Sequence, residues 1–497
     1  MILLPALEAV IDASGVAPRI EAMLPIGVRA RQLLVRTLLL GMLLTLADGR
    51  PAHLTRVHQA LTSLPEHDQR RLGIITAWKH GPHQLTYRQT ERTFGLVTDA
   101  LAKNEPDGLP SPVLQDTCDD LAEASIPARF KDASTSLAVD WTDLESFSRP
   151  PPHGTRDCAD PEASWGHRKN NLHRNENELY YGWYLSAATM APDENVPAIP
   201  ELARRATLSS CRHDPVRAFR PVLTAMPAAG IPLGDILDDS GYAHRDADAW
   251  ALPLRAAGAQ LVQDLHPHDR GPKGTHDGAI IANGNLYCPQ APRPLLELGP
   301  LARTATKDRT ADHDRQTAEL ARYKLGRLTS DDNDGYHRVQ CPAAMGKIRC
   351  PLRPASMTLD RDRPEILQPP EHPQACCAQQ TITVPPAVLA KTAQKHDYPS
   401  AAWRRSYARR TGVERGFATA KDPASNDISR GWCRLTGLAP LMLFTTTLLV
   451  VRNQRILDAW DARQQDNARR ATAGLPPKTR RRRRRTLTAL STASQPP

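Results

Sequence analysis

The stretch IPLGDILDDSGYAHRDADAWALPLRAAGAQLVQDL, residues 231–265, decides the predicted fold. Its apolar run, glycine turn, helical segment and second apolar run predict the order strand, turn, helix, strand. Strands connected through a helix in this way lie parallel in one sheet, so the stretch predicts an α/β protein. Asp239, in DDSGY, follows the first of these strands.

Two earlier segments predict further strands of the same sheet. STSLAVDWTDLESFSRP, residues 134–150, predicts a short apolar strand with Asp140 at its end. ELYYGWYLSAATMA, residues 178–191, predicts an aromatic strand. Because the carboxyl ends of neighbouring strands converge in an open α/β sheet, we expect Asp140 and Asp239 to lie close together.

The composition changes along the chain and predicts five regions. Residues 1–130 have helical periodicity and predict an all-α N-terminal domain, and residues 131–265 contain the strand segments. Residues 266–400 are rich in Pro, His, Asp and Cys and predict an inserted module that is mostly β or irregular. Helical character returns over 401–465, and residues 466–497 predict a disordered basic tail.

Positive charge is concentrated near the C-terminus. The net charge is +10, and residues 469–497 hold nine Lys or Arg and no acid, so the rest of the chain is nearly neutral. The unbroken arginine run at 480–485 suits electrostatic binding of nucleic acid, and a solvating tail without a partner is the equal alternative. The segment LTYRQTERTFGLVTDALAK, residues 85–103, is a second candidate DNA contact, although its basic residues suit a solvated helix face better.

Two apolar runs are too short to cross a membrane. LLVRTLLLGMLLTLA, residues 33–47, carries Arg36, and LAPLMLFTTTLLVV, residues 438–451, contains Pro440. Both fall short of the roughly 20 residues that span a bilayer, so they predict buried helices. The N-terminus lacks a positively charged leader, and nine cysteines then indicate a reducing compartment, so we expect a cytosolic protein.

The segment SYARRTGVERGFATAK, residues 406–421, holds a single acid among several cations. As a helix with roughly 100° per residue, it places four residues on one face: Tyr407, Arg410, Glu414 and Lys421. A carboxylate that holds a metal ion, among cations that hold the DNA backbone, suits an enzyme that acts on phosphodiesters. With Asp140 and Asp239 as partners, Glu414 would complete a set of oxygen ligands that Mg²⁺ prefers.

The sequence also predicts where this helix begins and ends, and the helix contains two glycines. Ser400 after Pro399 predicts the N-cap, and Asp422 before a proline predicts the end. Gly412 and Gly416 cost about 1 kcal/mol each relative to Ala in a helix interior. Close approach of another backbone, or of DNA, would account for them.

These residues carry a family resemblance. The spacing Tyr-x2-Arg-x3-Glu-x6-Lys that begins at Tyr407 matches the Tyr-Arg-Glu-Lys signature of the DDE transposases encoded by bacterial insertion sequences. Asp140 in LAVDWTD resembles the first catalytic aspartate of this family, and Asp239 in DDSGY resembles the second. The resemblance covers roughly residues 134–460 and includes a long insertion before Glu414.

The resemblance implies an RNase H-like core, a mixed sheet flanked by helices, that is split by an insertion domain. It implies a transposase that cuts transposon ends and joins them to target DNA with two Mg²⁺ or Mn²⁺ ions. The implied metal ligands are Asp140, Asp239 and Glu414. Arg410 and Lys421 would hold phosphates.

The resemblance also implies the partners. Tyr407 would contact the transposon end near the cleavage site, and the helical first region would recognise the terminal inverted repeats. The DNA partners are then double-stranded repeats and target DNA, and synapsis implies a homodimer. The implied location is the bacterial cytoplasm, at the nucleoid when DNA is bound.

Several alternatives stay open. Asp238 competes with Asp239, and Asp143 competes with Asp140. An acid after a strand is more often a turn or cap residue, and an Arg-rich helix with one Glu is usually a solvated face. The joint occurrence of these residues in order favours the catalytic interpretation. Two rival functions are a transposase-derived DNA-binding protein without catalysis and a metal-dependent nuclease that does not transpose.

The insertion contains further candidate metal ligands. Its cysteines occur at positions 288, 341, 350, 376 and 377. A structural zinc site is one interpretation, but the absence of a two-residue cysteine spacing favours free thiols. The histidines of DLHPHDRGPKGTHDG, residues 264–278, are interpreted as loop residues rather than metal ligands.

Overall fold

The computed structural model describes residues 3–26, 31–78, 81–103, 107–152, 155, 157–169, 177–302, 304–422 and 426–478. The basic run at 480–485 lies outside these residues. Within them, no helix combines the length and apolar character needed to cross a membrane.

The first region is helical, with one exception. Its elements are α1 (Leu4–Ser14), α2 (Val16–Met23), α3 (Val35–Ala47), α4 (Leu54–Thr62), α5 (Glu66–Arg71), β1 (Ile75–Trp78), β2 (Gly81–Gln84), α6 (Tyr87–Leu101), α7 (Pro112–Ala124) and α8 (Ala128–Lys131). The antiparallel hairpin β1–β2 corrects the prediction of an all-α region. The apolar run at 33–47 forms the buried helix α3, as predicted.

The central region forms a mixed sheet. Its elements are β3 (Leu137–Glu145), β4 (Ser164–Lys169), β5 (Asn177–Met190), β6 (Ala203–Ser210), α9 (Pro215–Thr224), β7 (Asp235–Asp238), α10 (Ser240–Ala243), α11 (Ala251–Ala256) and β8 (Gln260–Gln263). The strand order is β4-β5-β3-β7-β8, and β6 also pairs with β5. β3, β7 and β8 are parallel, whereas β5 is antiparallel to its neighbours. This confirms the predicted α/β class and the parallel connection within 231–265.

One strand is longer than predicted. β3 continues to Glu145, so Asp140 lies in its interior rather than at its end. The parallel pairing with β7 involves only Leu137 and Ala138. Asp140 therefore lies just beyond the last residue pair with β7, where the two strands diverge, so the expected convergence with the carboxyl end of β7 is still met.

The insertion contains two small antiparallel sheets and a long polar helix. Its elements are β9 (Pro272–His276), β10 (Ala279–Ala282), β11 (Asn285–Tyr287), α12 (Arg293–Leu296), α13 (Lys307–Tyr323), β12 (Gly326–Arg327), β13 (His337–Gln340), α14 (Ala375–Ala378) and β14 (Ile382–Val384). The prediction of a β or irregular module missed α13. Most residues of this helix are polar, so it has little apolar periodicity; Thr306 caps its first turn.

The C-terminal region returns to helix, but not as one unbroken element. It comprises α15 (Ala401–Tyr407), a 3₁₀ turn (Ala408–Arg410), α16 (Thr411–Ala420) and α17 (Leu438–Thr472). Ser400 caps α15 as predicted, because its hydroxyl accepts a hydrogen bond from the Trp403 N–H. The prediction that the tail is disordered from residue 466 is wrong up to Thr472, where α17 ends.

The two faces of the sheet pack against different helices. On β5, Ala187 belongs to a core shared with α3 and α17, whereas Ala188 belongs to a core shared with α9 and α11. Adjacent residues of a strand point to opposite faces, so the sheet is covered on both sides. The buried residues of the first region thus form one core with α17 and the sheet.

A buried ion network fixes the end of the insertion to the sheet. Asp235, at the start of β7, accepts hydrogen bonds from Lys395 at 2.8 Å and from Arg409 at 2.6 Å. Glu194 contacts the same two cations at 3.2 and 3.4 Å. The Arg409 side chain is therefore directed at Asp235 and Glu194.

We expect Asp235→Ala to lower the free energy of unfolding by about 3 kcal/mol, because it leaves Lys395 and Arg409 close together with only Glu194 to balance them. Urea denaturation measures this change. The control Asp246→Ala removes a carboxylate whose side chain is 88% exposed, and we expect a change below about 0.5 kcal/mol. Similar small effects in both variants would contradict a structural role for the network.

Candidate active site

One guanidinium gathers the three predicted acids. The NH2 group of Arg410 lies 2.9 Å from Asp140 Oδ2 and 3.4 Å from Asp239 Oδ2. The NH1 group lies 2.6 Å from Glu414 Oε1. Because Asp140 and Asp239 share one nitrogen, their oxygens are no farther apart than the sum of those two contacts. The structure thus brings together all three residues that the sequence indicated.

The backbone orients two of these carboxylates. Asp140 Oδ1 accepts a hydrogen bond from the Trp141 N–H at 2.9 Å. Asp239 caps α10, and its Oδ1 accepts from the Gly241 N–H at 2.9 Å. In each case one oxygen is held by the backbone while the other faces Arg410. The capping role and a ligand role of Asp239 are therefore compatible.

The electrostatics of this cluster favour an added positive charge. The pKa of Asp140 is raised to about 7: burial is the largest cause, Arg410 opposes it, and the charges of Asp239 and Glu414 add to the increase. Burial alone would lower the pKa of Arg410, but the surrounding acids raise it overall. Three oxygen donors that share one cation form a donor set that fits a hard divalent ion. The residues present therefore fit Mg²⁺ or Mn²⁺ chemically.

The structure distinguishes Asp239 from its competitor Asp238. Asp238 is fully buried, and its Oδ2 accepts hydrogen bonds from Trp250 at 2.8 Å and from Gln263 at 3.2 Å. Burial raises its pKa well above the ordinary value. It points into the core, and Asp239 is the member of the pair that faces Arg410.

Asp143, the alternative to Asp140, belongs to a different ion cluster. Asp143 accepts hydrogen bonds from Lys421 at 2.6 Å and from Arg168 at 3.1 Å. Burial would raise the pKa of Asp143, but Lys421 and Arg168 outweigh it and lower the pKa. Of the two acids, Asp140 is the one that shares Arg410 with Asp239.

The predicted helical face is only partly formed, because the 3₁₀ turn rotates its residues relative to one another. Arg410 is 5% exposed and faces the acids, so this arrangement does not present it to a phosphate. Lys421 contacts Asp143 on β3. Tyr407 stacks on Trp403, with ring centroids 5.0 Å apart and an interplanar angle of 14°.

A cleft of about 440 Å³ opens beside the acids. Glu414, Arg410 and Tyr407 line one side of it, and residues of the insertion near Leu301 line another. Of the three acids, Glu414 lines the cleft, and Asp140 and Asp239 contact the cleft residue Arg410. Its mixed lining combines charged groups with the Tyr407 ring.

A fourth acid at this edge was not among the residues predicted from the sequence. Asp264 lines the same cleft and accepts hydrogen bonds from Tyr398 at 3.0 Å and Arg270 at 3.1 Å. Burial raises its pKa, and the charge of Asp239 adds to this effect. The sequence pattern could have indicated Asp264, because this residue follows strand β8 in the way that Asp239 follows strand β7.

Three histidines also come together at this edge. His244, His266 and His268 have ligand nitrogens within 4.8 Å of one another. His266 caps the single 3₁₀ turn Pro267–Asp269, which contains His268. His244 follows α10 and is distant in sequence, so spacing alone could not reveal this cluster.

Gly412 and Gly416 of α16 leave room for side chains from other parts of the chain. A Cβ at Gly412 would lie 3.0 Å from the carboxyl carbon of Glu201, and a Cβ at Gly416 would lie 2.8 Å from a guanidinium nitrogen of Arg452. These contacts replace the expected approach of a backbone or of DNA. Burial lowers the pKa of Arg452 to about 10.

Comparison with protein-family models finds none that matches this chain. Comparison with curated proteins finds no match either.

We expect Arg410→Ala to make stability depend on divalent ions, because the three acids lose the cation that they share. Without Mg²⁺ the free energy of unfolding should fall by about 3 kcal/mol. Added Mg²⁺ should then raise the melting temperature more in the variant than in the unchanged protein, as measured by differential scanning fluorimetry.

The matched control is Arg415→Ala. Arg415 lies in α16, shortly after Arg410; its side chain is 45% exposed and it pairs with Glu201. This variant should respond to Mg²⁺ as the unchanged protein does. An equal response in all three proteins would argue against a shared carboxylate site.

Proposed function

We propose that this chain is a DDE transposase that cuts transposon ends and joins them to target DNA. The observation that carries the proposal is the convergence of Asp140, Asp239 and Glu414 on Arg410. A signature spread over most of the chain thus corresponds to one cluster of carboxylates. The mixed sheet flanked by helices supports assigning the RNase H-like architecture.

The three acids would act as ligands for two Mg²⁺ or Mn²⁺ ions. Bound there, such ions supply Lewis-acid activation of water, and then of a DNA 3′-hydroxyl, and they stabilise the leaving oxygen. Asp140 Oδ2, Asp239 Oδ2 and Glu414 Oε1 are the atoms directed at the shared cation, so these are the atoms we assign as ligands.

Arg410 has a distinct role in this proposal. In the arrangement described, its guanidinium neutralises the acids and keeps them close together. If divalent ions were held by these acids, the guanidinium of Arg410, which also lines the adjoining cleft, would be available to bind a phosphate oxygen. This reconciles its burial with the phosphate-binding role that the resemblance implies.

The cleft residues would position the DNA. The Tyr407 ring, rigid against Trp403, offers an aromatic surface to a base or sugar at the transposon end. Lys421 is held on β3 by Asp143, from where it would contact a neighbouring phosphate. We also propose that the protein binds double-stranded terminal repeats and target DNA, that it forms a homodimer in the synaptic complex, and that it is located in the bacterial cytoplasm.

The test uses purified protein, Mg²⁺, and DNA carrying the inverted repeats found beside the gene, with a pre-cut 3′ end and a supercoiled target. We expect the unchanged protein to join the 3′ end to the target. Asp239→Asn should lower joining by more than about 100-fold, because it removes a metal ligand. Gel separation of joined and hydrolysed products measures both reactions.

The control is Asp246→Asn, an exposed acid that follows α10 and should leave joining unchanged. Hydrolysis without joining would support a non-transposing nuclease instead. Binding of the repeats with neither reaction would support a DNA-binding protein derived from a transposase.

A further inference from the structure

Four cysteines of the insertion line one small cavity. Its volume is about 10 Å³, and the thiols around it belong to Cys288, Cys341, Cys350 and Cys377. All four residues are buried. A cavity of this size has room for about one water molecule, but apolar groups and thiols make up most of its wall. Nothing in the candidate active site uses this cavity.

The thiols come from separate parts of the chain. Cys288 follows β11, Cys341 follows β13, Cys350 lies in a loop, and Cys377 lies in α14. Between Cys341 and α14 the only helix or strand of the structure is a short 3₁₀ helix, Pro354–Thr358. A stretch with so little regular structure needs an additional constraint to pack as one unit.

The lining of the cavity suits a metal ion that takes sulfur ligands. Cysteine thiolates are the typical ligands of tetrahedral structural Zn²⁺ sites. Each thiol loses its proton when it binds the ion. The Cys376 sulfur lies 3.8 Å from the Cys377 sulfur, but Cys376 does not line the cavity.

We propose that Cys288, Cys341, Cys350 and Cys377 form a tetrahedral structural zinc site that fastens the irregular half of the insertion to its two sheets. Binding transfers the four thiol protons to solvent and forms four Zn–S bonds, with no redox step. The resulting site carries a net charge of −2, and Arg353, which also lines the cavity, offsets part of it.

Zinc binding requires the four sulfurs to approach one another. Zn–S bonds of about 2.3 Å place two thiolates roughly 3.8 Å apart. Among the described residues, three ligand atoms within 4.8 Å of one another occur only in the histidine cluster. In any three of the cysteines at least one pair of sulfurs is therefore farther apart than 4.8 Å, and this separation must shorten when the ion binds.

The first experiment measures zinc per chain by elemental analysis of the full-length protein, purified under reducing conditions. We expect one zinc ion in the unchanged protein and almost none in Cys350→Ser or Cys377→Ser. The matched control is Cys376→Ser, a buried neighbour that does not line the cavity and should keep its zinc. Loss of zinc in this control but not in Cys377→Ser would overturn the assignment.

The histidine cluster provides the second control. His266→Ala should retain zinc if the thiols bind it. Zinc that is lost in His266→Ala and kept in Cys350→Ser would place the ion on the imidazoles and overturn the proposal. Absence of zinc from the unchanged protein, even after reconstitution, would also overturn it.

A measurement on the unchanged protein covers the case in which the cysteine variants do not fold. Cobalt substituted for zinc should give a thiolate-to-metal charge-transfer absorption, which imidazole and carboxylate ligands do not give. A chelator should then abolish this band and lower the melting temperature. Cobalt bound without the charge-transfer band would overturn the proposal. Because the site lies outside the acids, its failure leaves the proposed transposase activity unaffected.

Discussion

The contact between Arg410 and three carboxylates is the constraint on which the candidate site depends. Asp140, Asp239 and Glu414 come from a strand, a helix cap and a helix, and without a shared cation they would repel one another. Arg410 is almost fully buried, so its charge acts in a medium that screens it weakly. The position of α16 relative to the sheet is therefore set by charge as well as by apolar packing.

Arg409, the residue before Arg410, also neutralises two acids, but these acids lie near the start of β7 and not at the candidate site. Arg409 contacts Asp235 and Glu194, whereas Arg410 contacts the acids of the site. Adjacent residues face different acid clusters because the 3₁₀ turn interrupts the helix between α15 and α16. This short turn thus attaches one segment of the chain to both ends of the parallel strand β7.

Much of the site was accessible from the sequence because it depends on local patterns. The acids follow or lie within apolar strands, and the spacing around Glu414 is short enough to be recognised. Most of the features that were not predicted depend on contacts between residues that are far apart in the sequence. The interior position of Asp140 results from the pairing of β3 with β5, which continues to Glu145. The histidine cluster and the cysteine cavity arise from parts of the chain that meet only after folding, whereas α13 was missed because most of its residues are polar.

The shared core of α3 and α17 has a consequence for synthesis. Part of the apolar surface of α3 is covered by α17, which leaves the ribosome only after the sheet and the insertion have been made. Until then the nascent chain exposes a long run of leucines, a state prone to aggregation. The first region therefore completes its core only once α17 has been made, and an early stop codon anywhere before α17 would leave that region without this packing partner.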